Sequence, residues 1–257
     1  MNLRVSVVVP VYNEGEAIVP VLDRIFDSVE SDCDIFVVVD SEDDSTMPVL
    51  RRYAERQPHL HPTVNTYGRG PANAIRFGID AVNSSIVVVT MADGSDDPKQ
   101  IDALARLVDR GVVVAAASRY TAGGQQVGGP LVKGALSRWA GLTLNSLARV
   151  GTHDPTNSFK AYSVEFVREV GIHSRNGFEI GLELTAKARR LRRPVAEIPT
   201  IWLDRTAGMS NFDLKGGIPH YLRWYRFAFG PQLSISELHA AAAAISLQDP
   251  KKEERHD

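Results

Sequence analysis

The sequence has a single cysteine, Cys33, among 257 residues, so no intramolecular disulfide can form and a reducing compartment is the default. No apolar run approaches the ~20 residues needed to cross a bilayer. Twenty-nine basic residues stand against 31 acidic ones, which leaves no global field to draw in nucleic acid or membrane. The opening Met1–Ser6 turns apolar only for the length of a strand, so no secretory signal is expected. No Gly-x-Gly-x-x-Gly follows the first apolar run, which argues against a dinucleotide dehydrogenase, and no Gly-x-x-x-x-Gly-Lys-Ser/Thr occurs, which removes a P-loop kinase or ATPase. The seven histidines fall at no metal-ligand spacing. With 44% apolar and 23% charged residues, the chain reads as an ordinary globular protein long enough to bury a sizeable core.

Three short β-branched runs, Val5–Val9, Ile35–Val39 and Ile86–Thr90, are nearly all apolar and end in turn or acidic residues. Continuous runs of this kind suit strands covered on both faces, as in a parallel sheet. Between the first two, Ile18, Leu22, Ile25, Phe26 and Val29 recur at helical spacing. Met47–Arg56 and Ala72–Val82 read as helices, Leu104, Leu107 and Val108 mark another, and Val112–Ala117 reads as a strand. This alternation predicts an α/β fold, a mostly parallel sheet flanked by helices with right-handed crossovers.

The second half is less regular. Gln125–Pro130 is a Gly-rich loop. Leu131–Val150 reads as a helix with Leu136, Trp139, Thr143, Leu147 and Val150 on one face. Phe178–Leu191 reads as a helix, its basic end Lys187–Arg193 as solvated or in contact with anionic lipid, and Val195–Trp202 as a strand. Tyr221–Phe229 packs five aromatics into nine residues, interleaved with Arg223 and Arg226. That composition suits a bilayer interface and equally a helix packed on the domain; both readings stand. One domain over residues 1–213, followed by an amphipathic aromatic and basic helical extension with a polar tail over 214–257, is the simplest partition.

In open α/β sheets ligands sit beyond the carboxyl ends of the strands. The segments there are Pro10-Val11-Tyr12-Asn13-Glu14, Asp40-Ser41-Glu42-Asp43-Asp44 and Met91-Ala92-Asp93-Gly94-Ser95-Asp96-Asp97. Carboxylates converging on one edge repel unless a cation sits among them, and hard oxygen donors suit Mg²⁺ or Mn²⁺, which bridges a diphosphate. Singly, such residues are more often solvated turns and helix caps, as Asp96 and Asp97 before Pro98 look.

Val8-Val9-Pro10-Val11-Tyr12-Asn13-Glu14, the Asp after each of the next two strands and Ser118-Arg119-Tyr120 together resemble glycosyltransferase family 2. Asp154-Pro155-Thr156-Asn157-Ser158-Phe159 and Asp204-Arg205-Thr206-Ala207-Gly208-Met209-Ser210 narrow the resemblance to polyprenyl-phosphate glycosyltransferases of the dolichyl-phosphate mannosyltransferase-like group. The resemblance spans roughly residues 4–213. It implies a GT-A fold and an inverting transfer of sugar from a nucleotide-diphosphate donor to a polyprenyl phosphate. Pro10, Tyr12, Glu14 and Asp40 fall where the family holds the nucleotide, and Arg69 and Gly70 belong to a segment like the family's Gly-rich helix start. Asp93 and Ser95 fall at metal positions, implying Mg²⁺ or Mn²⁺. Arg119, Lys133 and Ser137 match positions that grip a lipid phosphate. Arg205 would offset charge on the leaving diphosphate. Asp154 falls near the attacking group, as a base or as an orienting residue.

Three positions depart from the family. Met91 replaces the first Asp of the metal motif and is a poor ligand for a hard cation. Ser41 stands where many relatives have a second Asp, and Asn211 where they have Lys. Two alternatives therefore accompany the main reading: the same chemistry on a soluble sugar or glycan acceptor, and a catalytically silent nucleotide-sugar-binding relative. The expected setting is cytoplasmic, peripheral on the cytoplasmic face of a membrane, with no nucleic-acid partner.

Overall fold

The computed structural model describes residues 3–204 and 214–247. The first half runs β1 (Arg4–Pro10), α1 (Ile18–Ser28), β2 (Asp32–Val39), α2 (Met47–Ala54), β3 (Leu60–Val64), α3 (Pro71–Ala81), β4 (Ile86–Val89), α4 (Ile101–Asp109) and β5 (Val114–Ser118). The second half adds β6 (Gln125–Val127), α5 (Leu131–Thr143), β7 (Lys160–Ser163), α6 (Val164–Val170), α7 (Ile180–Arg190), β8 (Val195–Pro199), β9 (Ile201–Leu203), α8 (Leu214–Ala228) and α9 (Ile235–Leu247). Seven strands form one sheet in the order β3-β2-β1-β4-β7-β5-β8. β7 runs antiparallel to both neighbours and the remaining pairs are parallel. The carboxyl ends of β1, β2, β4 and β5 therefore share one edge, and the loop entering β7 arrives there too.

Alternation along each strand feeds two cores, one per face. Val5, Val7 and Val9 of β1 pack with Ile18 and Leu22 of α1 and Leu104 of α4. Val8 turns the other way, toward Ile75 and Ile79 of α3 and Leu184 of α7. Gly78 lets α3 lie close on that face, because a Cβ there would stand 2.5 Å from a Val8 methyl.

Several expectations change. The run Val195–Trp202 is two strands, broken at Thr200. β8 closes the main sheet, and β9 leaves it to pair with β6. Of the basic run Lys187–Arg193, Arg192 and Arg193 are exposed as expected, but the part within α7 is not solvated. Lys187 is buried, donating to Glu183 Oε1 at 2.5 Å and to the Gly171 carbonyl at 2.7 Å, and Arg190 donates to the Phe227 carbonyl. In the aromatic segment, Trp224 and Phe227 are core residues, while Phe229 stays exposed. For those two rings the packed-helix reading holds and the bilayer reading fails. The face of the 131–150 helix that carries Leu136, Trp139 and Leu147 is turned to solvent, with only Val150 of that apolar set buried. No helix among the described residues is long and apolar enough to cross a membrane.

Candidate active site

The loops after β1 and β2 are clipped together by short polar side chains. Asn13, at φ 54°, donates its N–H to Asp44 Oδ2 at 2.9 Å, and its own Oδ1 accepts from Ser45 N. Thr46 Oγ1 accepts the N–H groups of Glu14 and Gly15 at 3.0 and 3.2 Å. Such local side-chain caps fix a loop that has no ladder of its own. Pro10 ends β1 within the buried layer, and Tyr12 stands 61% exposed beyond it, a ring offered to the space over the sheet edge.

Asp40, at the end of β2, takes Asn65 Nδ2 at 3.1 Å and the Gly70 N–H at 2.8 Å. It thereby ties the β2 end to the start of α3. Gly70 sits at φ 110°, a region closed to L side chains, and Pro71 opens the helix without needing a donor. Arg69 beside it is exposed. The two expected nucleotide positions Asp40 and Gly70 are thus brought into contact, with Asp40 spending its carboxylate on the fold of the loop.

After β4, Asp93 Oδ1 accepts both the hydroxyl of Ser95 at 2.6 Å and its N–H at 3.1 Å. Arg24 holds this loop from behind, donating to the Gly94 carbonyl at 3.0 Å. Asp96 is not the solvated cap its position suggested. It is buried, accepts from Thr90 Oγ1 and Met91 N, and its carboxyl is pushed up to about 6 by burial and by the charge of Asp93. Asp97 does cap the next turn, accepting from Lys99 N. Among the described residues no three His, Cys, Asp or Glu side chains converge as a metal cage. The donor set is one carboxylate and one hydroxyl, with a thioether at Met91. That set fits a hard cation which takes its remaining ligands from a diphosphate and water, as Mg²⁺ does, and does not fit an all-protein site.

A second polar cluster, holding the residues expected at the acceptor phosphate, is built around Arg119, one residue past β5. Its Nε and Nη2 meet the two oxygens of Asp154 at 2.7 and 2.9 Å, and its own N–H adds a third bond at 3.1 Å. Asp154 is fully buried, and Arg119 keeps 12% of its side chain exposed. The paired carboxylate raises the guanidinium above its ordinary value, so it stays charged at any working pH. Arg119 Nη2 also reaches Ser137 Oγ at 3.3 Å, and Ser137 bonds Thr156 at 2.6 Å. Lys133 lies one turn before Ser137 on the same half-buried stripe of α5. A cavity of about 740 Å³ opens beside this group, lined by Arg119, Tyr120, Gln126, Gly129, Leu131 and Arg138.

Two contributors escaped the sequence reading. Lys160 is fully buried, donates to the Asp154 carbonyl at 3.1 Å and to the Asn157 carbonyl, and is pushed down to about 7 by burial. A lone Lys between Phe159 and Ala161-Tyr162 was its signal. Arg138 on the cavity wall carried no signal beyond its charge. β9 ends against the loop after β4, Leu203 N donating to the Ser95 carbonyl at 3.2 Å. The segment that follows, with Arg205, Ser210 and Asn211, lies outside the described residues.

The pattern of glycosyl transferase family 2 matches residues 6–171. The chain is 28% identical over 223 residues to undecaprenyl-phosphate mannosyltransferase of Micrococcus luteus, covering 84% of this chain and 89% of that one. It is 29% identical over 214 residues to polyprenol monophosphomannose synthase of Mycolicibacterium smegmatis, covering 81% and 80%. Among solved structures, glucosyl-3-phosphoglycerate synthase from Mycobacterium tuberculosis, in complex with Mn²⁺, UDP and glucosyl-3-phosphoglycerate, superposes with a TM-score of 0.65 at 17% identity. That superposition covers 91% of this chain and 82% of the other, a likeness of fold.

Proposed function

Since the chain belongs to glycosyl transferase family 2, with the GT-A fold, we propose that this glycosyltransferase moves a sugar from a nucleotide-diphosphate donor to a polyprenyl phosphate, with inversion. One observation carries the acceptor assignment. The fixed cation Arg119 borders the 740 Å³ cavity, and the carboxylate beside it is committed to that arginine, the Asn157 N–H and the Thr156 hydroxyl. A sugar hydroxyl needs a base to take its proton. A phosphate is already ionised at neutral pH and needs cations instead. Asp154, sealed under Arg119, serves the second need: it holds the guanidinium in place and leaves deprotonation to no one. The undecaprenyl-phosphate and polyprenol in the names of the two relatives support the same acceptor class.

On the donor side, Pro10, Tyr12, Glu14 and Asp40 border the nucleotide, and Arg69 and Gly70 the phosphate end of its cleft. Asp93 and Ser95 would hold a divalent cation, Mg²⁺ or Mn²⁺, which supplies neutralising charge to the diphosphate when bound. Arg119, Lys133 and Ser137 orient the acceptor phosphate for an in-line approach, so that its oxygen forms the new bond as the nucleoside diphosphate leaves. Arg205 offsets charge on that leaving group.

The test is product identification after incubation with Mg²⁺ or Mn²⁺, a panel of nucleotide sugars and a short-chain polyprenyl phosphate. A glycosyl phospholipid of inverted configuration is expected. Transfer only to free sugars or glycans would refute the lipid acceptor. Donor binding with no transfer to any acceptor would mark a silent relative, the reading Met91 favours.

A further inference from the structure

β7 opens on a buried charge. Lys160 is wholly buried in a strand that continues Ala161-Tyr162-Ser163. It pairs on one side with Val89 of β4, the strand that leads to Asp93, and on the other with Ala116 of β5, the strand that leads to Arg119. Taking an ammonium out of water is expensive, and burial pushes this amine down to about 7. What the amine holds therefore identifies its use.

Nζ donates to the Asp154 carbonyl at 3.1 Å and to the Asn157 carbonyl. Neither carbonyl accepts a backbone N–H among the described residues, so without the amine two buried acceptors would be orphaned. The start of α7 seals the group in: a Cβ on Gly181 would stand 2.9 Å from the Asn157 carbonyl oxygen and 3.3 Å from Nζ. The same turn holds Arg119. Asp154 Oδ1 accepts the Asn157 N–H at 3.2 Å, and its two oxygens take Arg119 Nε and Nη2. Asp154 is thus gripped through its main chain by one cation and grips the other with its side chain. A carboxylate is placed no more precisely than the backbone that carries it. We infer that Lys160 is a positioning residue for the acceptor phosphate: its ammonium fixes the 154–157 turn and, through Asp154, sets where Arg119 meets the phosphate. Both its hydrogen bonds go to this turn, and among the described residues none goes to the loops after β1, β2 or β4, so the effect falls on the acceptor and spares the donor. The inference deepens the polyprenyl-phosphate reading above, on which the identity of the acceptor rests. The grip is charge-assisted, full below about pH 7 and weaker as the amine loses its proton above it. The charged groups around the amine are Asp154, Arg119, Asp96 and Glu197.

The test has two arms, and the first uses no substrate. Arg119 Nε–H, bonded to Asp154 Oδ2 at 2.7 Å, should give a slowly exchanging nitrogen–proton resonance in arginine-labelled protein, assigned by its absence from Arg119→Lys. Lys160→Met should shift that resonance and speed its exchange, and Lys160→Arg should restore it. In the parent alone, which needs no variant to fold, the resonance should move with a midpoint at about pH 7. The second arm is turnover with a short-chain polyprenyl phosphate. Lys160→Met should raise the acceptor KM about tenfold or more with the donor KM nearly unchanged, and Lys160→Arg should recover most of that loss. From about pH 6 to 9 the parent's acceptor KM should climb relative to that of Lys160→Arg, whose guanidinium keeps its charge; ionisation of the phosphate itself is common to both. An Arg119 resonance identical in the parent and Lys160→Met overturns the inference. So does a rise of both KM values together, the mark of a merely structural role, or a folded Lys160→Arg no better than Lys160→Met. The full Arg119 response in a protein that transfers nothing to polyprenyl phosphate would refute the acceptor reading and leave the grip of Lys160 on Arg119 standing.

Discussion

Replacing Asp154 should be among the costliest single changes in the molecule. The carboxylate is fully buried and accepts from Arg119 Nε, Arg119 Nη2, the Arg119 N–H and the Asn157 N–H. Asp154→Ala leaves a guanidinium that is 12% exposed with no counter-charge, and breaking such a pair typically costs about 3–5 kcal/mol. For a chain of this size that corresponds to a melting temperature lower by about 6–20 °C. Arg119→Met should cost a comparable amount, because it strands the carboxylate. The double variant Arg119→Met, Asp154→Leu removes both charges and fills their volume, so it should recover about 2 kcal/mol or more of the summed losses. Denaturant unfolding of the four proteins closes the cycle. Single losses under about 1 kcal/mol, or a coupling within about 0.5 kcal/mol of zero, would refute a buried pair that holds the arginine in place. In activity, Asp154→Asn should raise the acceptor KM with the donor KM nearly unchanged.

Asp93→Ala should abolish turnover and metal-dependent nucleotide binding with an unchanged circular dichroism spectrum, and Met91→Asp should keep or raise metal affinity; full activity in excess chelator would refute the cation. Gly141→Ala places a methyl on the His153 carbonyl oxygen, a backbone atom that cannot swing away, so about 1–3 kcal/mol or more of stability should go, and a melting curve like the parent's would contradict the packing of α5. Lys160, depressed to about 7 by burial, binds fewer protons folded than unfolded, so its contribution to stability rises as pH climbs from about 7 toward the ordinary lysine range and is lost as pH falls through 7. The unfolding free energy of the parent minus that of Lys160→Met should follow that rise, and a difference flat from pH 6 to 10 (roughly the window that shift defines) would contradict it.

Strands β1, β2 and β4 were legible because both their faces are covered and every position is free to be apolar. β3 was not, since Leu60–Val64 carries His61 and Pro62. The sheet order explains both: β3 is an edge strand, where a missing donor is tolerated. β7 was hidden by Lys160, whose amine is buried among the carbonyls of the loop it anchors. The break at Thr200 left no trace in the apolar run around it, because a strand that changes sheets keeps its local pattern. The basic end of α7 misled for another reason. Glu183 and Lys187 look like a solvated i,i+4 pair, and whether such a pair is surface or core depends on what packs over it, here Trp224 of α8.

At the candidate site, the strand pattern put the ends of β1, β2 and β4 on one edge, as the sheet does, but was silent about the partners of their side chains. Asp40 and Asp154 each bond a neighbouring loop and Asp93 bonds its own, and a carboxylate used for architecture cannot be told in sequence from one used for a ligand. The helix over 131–143 shows the same limit in another form. Period says which residues share a face and carries no sign; it does not say which face turns inward. The sign here is set by close approach. Gly141 lies directly on the His153 carbonyl, so α5 must present its smallest residues to the loop that holds Asp154. Leucine or tryptophan on that side would lift the helix away and carry Ser137 out of reach of Arg119. The apolar stripe is therefore turned outward by the close approach of α5 to the loop that holds Asp154.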